Sequence, residues 1–249
     1  MRLLSQLLLA LWLPLPALAA APVDHAAQYR ACLSLLRQAP WEAYESARAW
    51  EPLGGGDAAR HCAALSLIEL KQYDAAALEL EEIAQSQQER GEVSPAAVLG
   101  QAANAWFLAG RLDRAETAVI SALERAPDDA GLLIDWARIL GEAGRYAEAL
   151  DALDRALVAV PDDAEVWAFK AAALRHLDRV DDARAAVDKA LALEPGHPNA
   201  LLERGLLRRA KGDDDGARED WLALTLAWEG TPAGDAARAY LEEMDVQSE

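Results

Sequence analysis

Histidine and cysteine are the residues of this sequence with the most versatile chemistry, because they bind metals, transfer protons or act as nucleophiles. The four histidines lie far apart in the chain, at His25, His61, His176 and His197. No two of them have the spacing of a zinc site. His61 is followed by Cys62, but neighbouring residues of a helix point about 100° apart. We therefore expect no metal site and no cofactor.

An acidic run and a glycine run are the other candidates for a site. The run from Asp213 to Asp220 holds five acids in contiguous blocks, whereas an EF-hand loop alternates its ligands and ends on a bidentate Glu. We interpret the run as a solvated turn with an N-cap. Residues 54–56 are three glycines without the Lys and Ser or Thr of a phosphate-binding loop. No Gly-x-Ser-x-Gly motif is present, so the sequence favours a protein that is not an enzyme.

The first residues differ from the rest of the chain. Arg2 precedes an apolar stretch from Leu3 to Leu15, and small residues follow from Ala17. That order is typical of a secretory signal peptide, and the apolar stretch is shorter than the ~20 residues of a membrane-spanning helix. We predict cleavage after Ala19 and export to a bacterial periplasm. The bacterial origin follows from the 20 Arg against 4 Lys in an alanine-rich chain.

The predicted mature chain is strongly acidic. The formal net charge is −18 for the full sequence, and without residues 1–19 it is −19. Such a chain repels nucleic acid and anionic lipid, because binding to phosphates requires Lys and Arg. We therefore predict a protein or peptide partner, no nucleic acid, and no integral membrane span.

The two cysteines, Cys32 and Cys62, belong to a chain that we expect to be exported. In an oxidising compartment a single disulfide is the first interpretation of two cysteines. Two buried thiols are the alternative. A redox-active pair is a third interpretation, but reactive dithiols usually have the Cys-x-x-Cys spacing.

A 34-residue period organises the second half of the chain. Pro127, Pro161 and Pro195 recur at this spacing. Small residues align with them at the eighth and twentieth places of each unit, and these are Ala103, Ala137, Ala171 and Gly205, then Ala115, Ala149, Ala183 and Ala217. Large apolar residues align three or four places from these small residues, so they share one face of each of the two helices in a unit. Each unit is therefore predicted to be a pair of closely packed amphipathic helices.

Turn residues recur with the same period. Gly110, Gly144 and Gly212 fall where the first helix of a unit ends, and glycine adopts the left-handed backbone of such an end. Asp129 and Asp163 precede the next unit, where aspartate caps free N–H groups.

The pattern resembles the tetratricopeptide repeat family over roughly residues 24–231, most specifically in the three units from 96 to 197. The resemblance implies an all-α, right-handed superhelical solenoid of helix-turn-helix repeats with a C-terminal capping helix. Arg208 departs from the pattern, since it occupies a place that is apolar in the other units. The predicted segments are a signal peptide (1–19), a degenerate helix pair (20–56), a repeat-like unit with an insertion (57–95), three repeats (96–129, 130–163 and 164–197), a repeat-like unit (198–231) and a capping helix with a tail (232–249).

The resemblance also places Cys32 and Cys62 in the first helices of adjacent units. A disulfide there stabilises the weakest interface between repeats, by about 3 kcal/mol for a loop of this length.

First helices line the concave surface in this family, and their faces that are not used for packing form a groove. Those places are formally neutral and rich in apolar residues, and they include His61 and Gly100. Either a partner binds there or the curvature of the stack buries several of the residues. The predicted groove consists of Asn104, Phe107, Leu108, Ile134, Arg138, Arg175, His176, Leu202, Leu206 and Arg209.

The three arginines of this set predict that the partner segment carries a carboxylate, which Arg binds bidentately. Chaperone-binding members of the family hold a terminal carboxylate with Lys, Asn and Arg. Here Gly100 stands where that Lys is expected.

Three functions are compatible with the sequence. The first is a non-enzymatic scaffold for protein–protein interaction, of the kind used in envelope or secretion-system assembly. The second is an accessory subunit or substrate-delivery helper of an enzyme system such as cytochrome maturation. The third is a hydrolase within residues 24–56, but this region holds no Ser-His-Asp or Cys-His set beyond the two cysteines.

Overall fold

Helices form nearly all of the regular structure in residues 23–86 and 94–247, the residues that the computed structural model describes. No strand occurs in these residues. The predicted signal peptide, its cleavage site after Ala19 and most of the predicted insertion before Ala96 lie outside them. The helices are α1 (His25–Leu35), α2 (Pro40–Trp50), α3 (Gly56–Glu69), α4 (Tyr73–Ser86), α5 (Pro95–Leu108), α6 (Leu112–Leu123), α7 (Ala130–Glu142), α8 (Tyr146–Ala159), α9 (Ala164–His176), α10 (Val180–Leu193), α11 (Pro198–Ala210), α12 (Asp214–Ala227) and α13 (Pro232–Gln247), with a 3₁₀ turn at Glu51–Leu53.

The helices pack as successive pairs. Each odd-numbered helix packs against the helix that follows it, and from α2 onward each second helix packs against the first helix of the next pair. The first helices α5, α7, α9 and α11 also contact one another in sequence, and α13 packs on α12 and α11. The predicted all-α solenoid with a capping helix is therefore confirmed. None of the described helices has the length and apolar character needed to cross a membrane.

Small residues allow the two helices of a pair to approach closely. The alanines at the eighth and twentieth places of the units are buried, as the periodicity predicts. Gly205 replaces alanine in the last unit because Trp221 of α12 fills the space, and a Cβ on Gly205 would collide with the indole ring. The smaller Val119, Leu153 and Val187 occupy the place of this tryptophan in the other units.

The ends of the helices repeat with the same period. Asp129, Asp163 and His197 are N-caps whose side chains accept hydrogen bonds from backbone N–H groups of the following turn. Gly144 has a φ of 74° after α7, and Asp178 holds the equivalent place after α9 with a φ of 56°. Aspartate is one of the few residues other than glycine that adopt this conformation.

The N-terminal pair has a small core that includes a disulfide between Cys32 of α1 and Cys62 of α3, with their Cα atoms 6.4 Å apart. Its other buried members are three alanines, Ala43, Ala47 and Ala63. Because alanine buries little apolar area, this pair gains less from the hydrophobic effect than the central units, which share one large cluster. The covalent bond compensates for that deficit.

The last pair contains a buried ionic cluster where the sequence predicted a solvated turn. Asp213 is an N-cap, as expected, and accepts a hydrogen bond from the N–H of Gly216. Asp220 is only 3% exposed, so the prediction was wrong for this residue. Its carboxylate accepts hydrogen bonds from Arg204 at 2.6 and 3.0 Å and from Arg208 at 2.9 Å. Arg208 departs from the apolar pattern because it neutralises Asp220.

Removing the disulfide should destabilise the N-terminal pair. We expect the double variant Cys32→Ala, Cys62→Ala to lose about 3 kcal/mol of unfolding free energy, since the 30-residue loop is no longer closed in the unfolded chain. Denaturant unfolding followed by circular dichroism measures the loss. Mass spectrometry of an unreduced digest of the native protein should recover the Cys32–Cys62 peptide pair, and free thiols on both residues would contradict the disulfide.

Neutralising Asp220 should destabilise the C-terminal pair. Asp220→Asn leaves two guanidinium groups without their carboxylate, which costs ~3–5 kcal/mol for a fully buried pair. Both arginines are about one-third exposed, so we expect about 2 kcal/mol. The exposed Asp214→Asn, in the first turn of the same helix, is the matched control and should cost a few tenths of a kcal/mol. Equal losses in both variants would mean that the cluster contributes nothing.

Candidate functional site

A groove opens between α7 and α9, with α8 as its floor. Its volume is about 360 Å³, and we call it the central groove. Aromatic rings and small side chains dominate its lining, which consists of Phe107, Ala137, Arg138, Gly141, Glu142, Tyr146, Ala149, Leu153, Phe169, Ala172, Ala173 and His176. Three consecutive first helices, α5, α7 and α9, therefore contribute to one surface.

Arg138 lines the central groove, and its guanidinium makes two contacts within the chain. Its guanidinium lies 4.9 Å from the centre of the Phe107 ring, a cation–π contact. It also donates a hydrogen bond to Asp135 at 3.0 Å. The positive charge of Arg138 is thus already matched within the chain.

A flat pair of rings also lines the central groove. Tyr146 and His176 stack with their centres 4.0 Å apart and 3° between their planes. Arg175 donates a hydrogen bond to Nε2 of His176 at 3.1 Å. Partial burial lowers the pKa of His176, and the neighbouring Arg175 lowers it further. Glu203 partly opposes this shift, and the lowered pKa favours the uncharged imidazole.

A second cavity of about 480 Å³ continues from Arg138 toward the N-terminus, and we call it the flanking cavity. Its lining combines apolar, amide and acidic side chains, namely Leu65, Ile68, Ala97, Gly100, Gln101, Asn104, Asp129, Gly131, Leu132, Asp135 and Arg138. Burial raises the pKa of Asp135, Arg138 partly reverses this shift, and Asp129 and Glu165 add to it. The flanking cavity holds two carboxylates, Asp129 and Asp135, and the central groove holds one, Glu142.

The predicted groove residues divide into two sets. Phe107, Arg138 and His176 line the central groove, and Asn104 lines the flanking cavity together with Arg138. Leu108 is exposed at the end of α5, and Ile134 is partly buried against the main core.

The other predicted residues lie toward α13. Arg175 donates two hydrogen bonds to the buried Glu203 of α11. Arg209 pairs with Glu243 of α13 at 3.1 Å. Leu202 and Leu206 pack against the C-terminal core cluster, which includes residues of α13. None of these four residues lines the central groove or the flanking cavity.

Two positions that the repeat register placed on the concave face are buried instead. His61 is 3% exposed and lies between Tyr29, with Nδ1 2.7 Å from the hydroxyl, and Gln101, with Nε2 2.6 Å from Oε1. Gly100 packs against Leu132 of the next unit, and a Cβ there would lie 2.6 Å from the leucine Cδ2. A side chain at this place would require Leu132 to shift, and the lysine of a family-type carboxylate clamp is missing here.

Sequence reasoning missed Tyr146 and Phe169, two of the three large aromatic residues of the central groove. Tyr146 begins a second helix, and Phe169 lies between the packing places of α9. They belong to successive units and meet in the same groove. Their aromatic character in an otherwise polar or alanine-rich context was the available signal.

The groups in the two cavities suit recognition. Aromatic rings, a matched arginine and amides are characteristic of protein-binding surfaces. In residues 23–86 and 94–247, no three His, Cys, Asp or Glu side chains come together in a way that could hold a metal ion.

Comparison with known proteins identifies the repeats. Residues 134–198 and 177–234 match the sequence profile of the tetratricopeptide repeat. A comparison with curated protein sequences gives no match.

Solved structures share the fold at low sequence identity. PilF of Pseudomonas aeruginosa is 17% identical with a TM-score of 0.68, and the alignment covers 87% of this chain and 97% of PilF. The C-terminal part of a repeat-containing protein from Cytophaga hutchinsonii is 16% identical with a TM-score of 0.62, covering 78% and 77%. A chain of the APC/C hetero-tetramer Cut9–Hcn1 is 15% identical with a TM-score of 0.65, covering 86% of this chain and 45% of that one.

The burial of His61 should make stability depend on pH. Desolvation lowers the pKa of His61 in the folded chain, although its hydrogen bond to Gln101 opposes the shift. Below the ordinary pKa of about 6.5 the unfolded chain binds a proton that the folded chain resists. The wild-type protein should therefore lose stability as the pH falls below this value, by at most ~1.4 kcal/mol per pH unit from this residue.

The control is His61→Gln, which keeps a donor and an acceptor but does not titrate. Urea unfolding of both proteins is measured at pH 7.5 and 5.5. The difference between the two proteins cancels the effects of all other groups. The variant should lose less stability than the wild type between these two pH values. An equal loss in the two proteins would exclude His61 as the source.

Proposed function

Because residues 134–234 match the tetratricopeptide repeat and the other helices continue the same stack, the chain is a tetratricopeptide repeat protein, and we propose that it is a non-enzymatic interaction scaffold. Its partner is a protein or a peptide segment, which binds in the central groove. The scaffold acts in the periplasm, in a process such as envelope or secretion-system assembly.

The lining of the central groove carries this proposal. Aromatic and small side chains from three repeats meet on one concave surface of a protein whose formal net charge is −18. Partly apolar surface rimmed by polar groups is typical of binding sites. Aromatic residues are also the side chains that contribute most to binding energy at interfaces.

The periplasmic location rests on two observations. The signal-peptide-like order of residues 1–19 favours export. The Cys32–Cys62 disulfide is of the kind that persists in oxidising compartments.

Among the solved neighbours, the Cut9–Hcn1 hetero-tetramer is an assembly with a second protein.

Site-specific photo-crosslinking in the producing cells tests the groove. A photoreactive amino acid at Ala172, inside the central groove, should form an adduct with the partner. The same amino acid at Asp151, exposed on the second helix α8, should not. Adducts only from Asp151 would move the site to the outer face.

A blocking variant with a matched control sharpens the test. Gly141 lines the central groove, and a Cβ added there contacts nothing within 4 Å. Gly141→Trp should fill the groove and reduce the Ala172 adduct by at least about tenfold, a change worth ~1.4 kcal/mol. Gly141→Ala leaves the groove open and should retain the adduct, with slightly higher stability because alanine favours helix more than glycine. An unchanged adduct in Gly141→Trp would exclude the central groove as the binding site.

A further inference from the structure

The arginines predicted for the groove cannot supply an uncompensated positive charge. Arg138 pairs with Asp135 at 3.0 Å, Arg175 with Glu203 at 2.7 Å and Arg209 with Glu243 at 3.1 Å. A partner carboxylate would have to displace an internal carboxylate from each of them. The structure therefore gives no advantage to an acidic segment.

The negative charge of the two cavities exceeds their positive charge. Together their linings hold three carboxylates, Asp129, Asp135 and Glu142, and one guanidinium, that of Arg138. Asp129 and Glu142 form no ion pair within the described residues. Glu165, which acts electrostatically on Asp135, adds a further negative charge nearby.

The polarity of the two cavities also differs. The central groove has three large aromatic residues, Phe107, Tyr146 and Phe169. The flanking cavity has two of the three carboxylates, and the amides Gln101 and Asn104 lie beside them. The cavities meet at Arg138, so one extended segment can reach both.

We propose that the central groove and the flanking cavity together bind an extended segment of a partner protein that carries a large apolar or aromatic side chain and, close to it, a lysine or arginine. The apolar side chain enters the central groove, and the cationic side chain pairs with Asp129, next to Asp135 in its pair with Arg138. This inference rests on the proposed function and adds the chemistry of the partner. It replaces the acidic segment that the arginines alone suggested.

Geometry sets the spacing of the two anchors. The cavities lie on opposite sides of α7, and adjacent packed helices are about 8–10 Å apart. An extended chain advances about 3.3–3.6 Å per residue. The cation and the apolar side chain are therefore about three residues apart in the partner.

Synthetic peptides test this directly. The probes are fluorescein-labelled twelve-residue Gly/Ser peptides with Trp and Lys three positions apart, in both orders. Matched peptides replace Lys by Glu or Trp by Ala. Fluorescence anisotropy with the disulfide-bonded protein should give a Kd for the better Trp/Lys peptide at least about tenfold below those of its Trp/Glu and Ala/Lys counterparts.

Protein variants locate the effect. Asp129→Asn with Asp135→Asn should remove the preference for Lys over Glu and retain the dependence on Trp, and asparagine keeps the N-cap at position 129. Asp113→Asn with Asp151→Asn makes the same change of net charge on exposed positions of the second helices, and it should retain the preference. If the double variant is less helical by circular dichroism, Asp129→Asn alone should still weaken the preference.

The outcomes separate the two proposals. If the Trp/Glu peptide binds as tightly as the Trp/Lys peptide or more tightly, the proposal of a basic partner segment is overturned. If Gly141→Trp also abolishes this binding, the peptide binds in the groove, which remains a docking site. Preference for Lys that persists in Asp129→Asn, Asp135→Asn also overturns the basic partner segment, as does the absence of binding by every peptide. Binding that is the same in Gly141→Trp and Gly141→Ala overturns the groove itself.

Discussion

Close approach of the two helices within each pair is the constraint on which the whole stack depends. Alanine or glycine at the eighth and twentieth places permits it, and no larger side chain fits there without displacing a neighbour. The large apolar residues of the central pairs join in one buried cluster that runs through the adjacent pairs. Packing within a unit and packing between units are therefore set by the same few positions.

The two ends of the stack meet this constraint in different ways. At the N-terminus, alanines leave little apolar area to bury, and a covalent bond between α1 and α3 holds the first two pairs together. At the C-terminus, α13 covers the last pair, where Tyr240 stacks on Trp221 with ring centres 4.9 Å apart. An open stack always leaves its last units with one uncovered face, and α13 covers that face in this chain.

The helix pairs could be predicted from the sequence because their signals are local and periodic. Pro127, Pro161 and Pro195 set the phase, and small residues at a constant offset confirm it. The candidate site depends instead on contacts between units. The register of a single helix cannot reveal that Leu132 fills the space above Gly100.

Partners across units explain the other differences between sequence and structure. His61 reads as an exposed residue of α3, yet Tyr29 of α1 and Gln101 of α5 enclose it. The sequence predicts that Arg175 is available to a partner, but Glu203, 28 residues later in the chain, accepts a hydrogen bond from it. Charge alone, counted along one helix, overestimates what the concave surface offers to an acidic partner.

The pairing of Gly205 with Trp221 limits how the last unit of this chain can change. The central units share alanine at the eighth place and medium-sized apolar residues at the twenty-fourth, so the packing within one of them is like that within the others. The last unit has changed at both places together, and its Arg208 is tied to Asp220. A change in the central units leaves these contacts intact, whereas any change of the last unit must preserve Gly205 with Trp221 and Arg208 with Asp220 together.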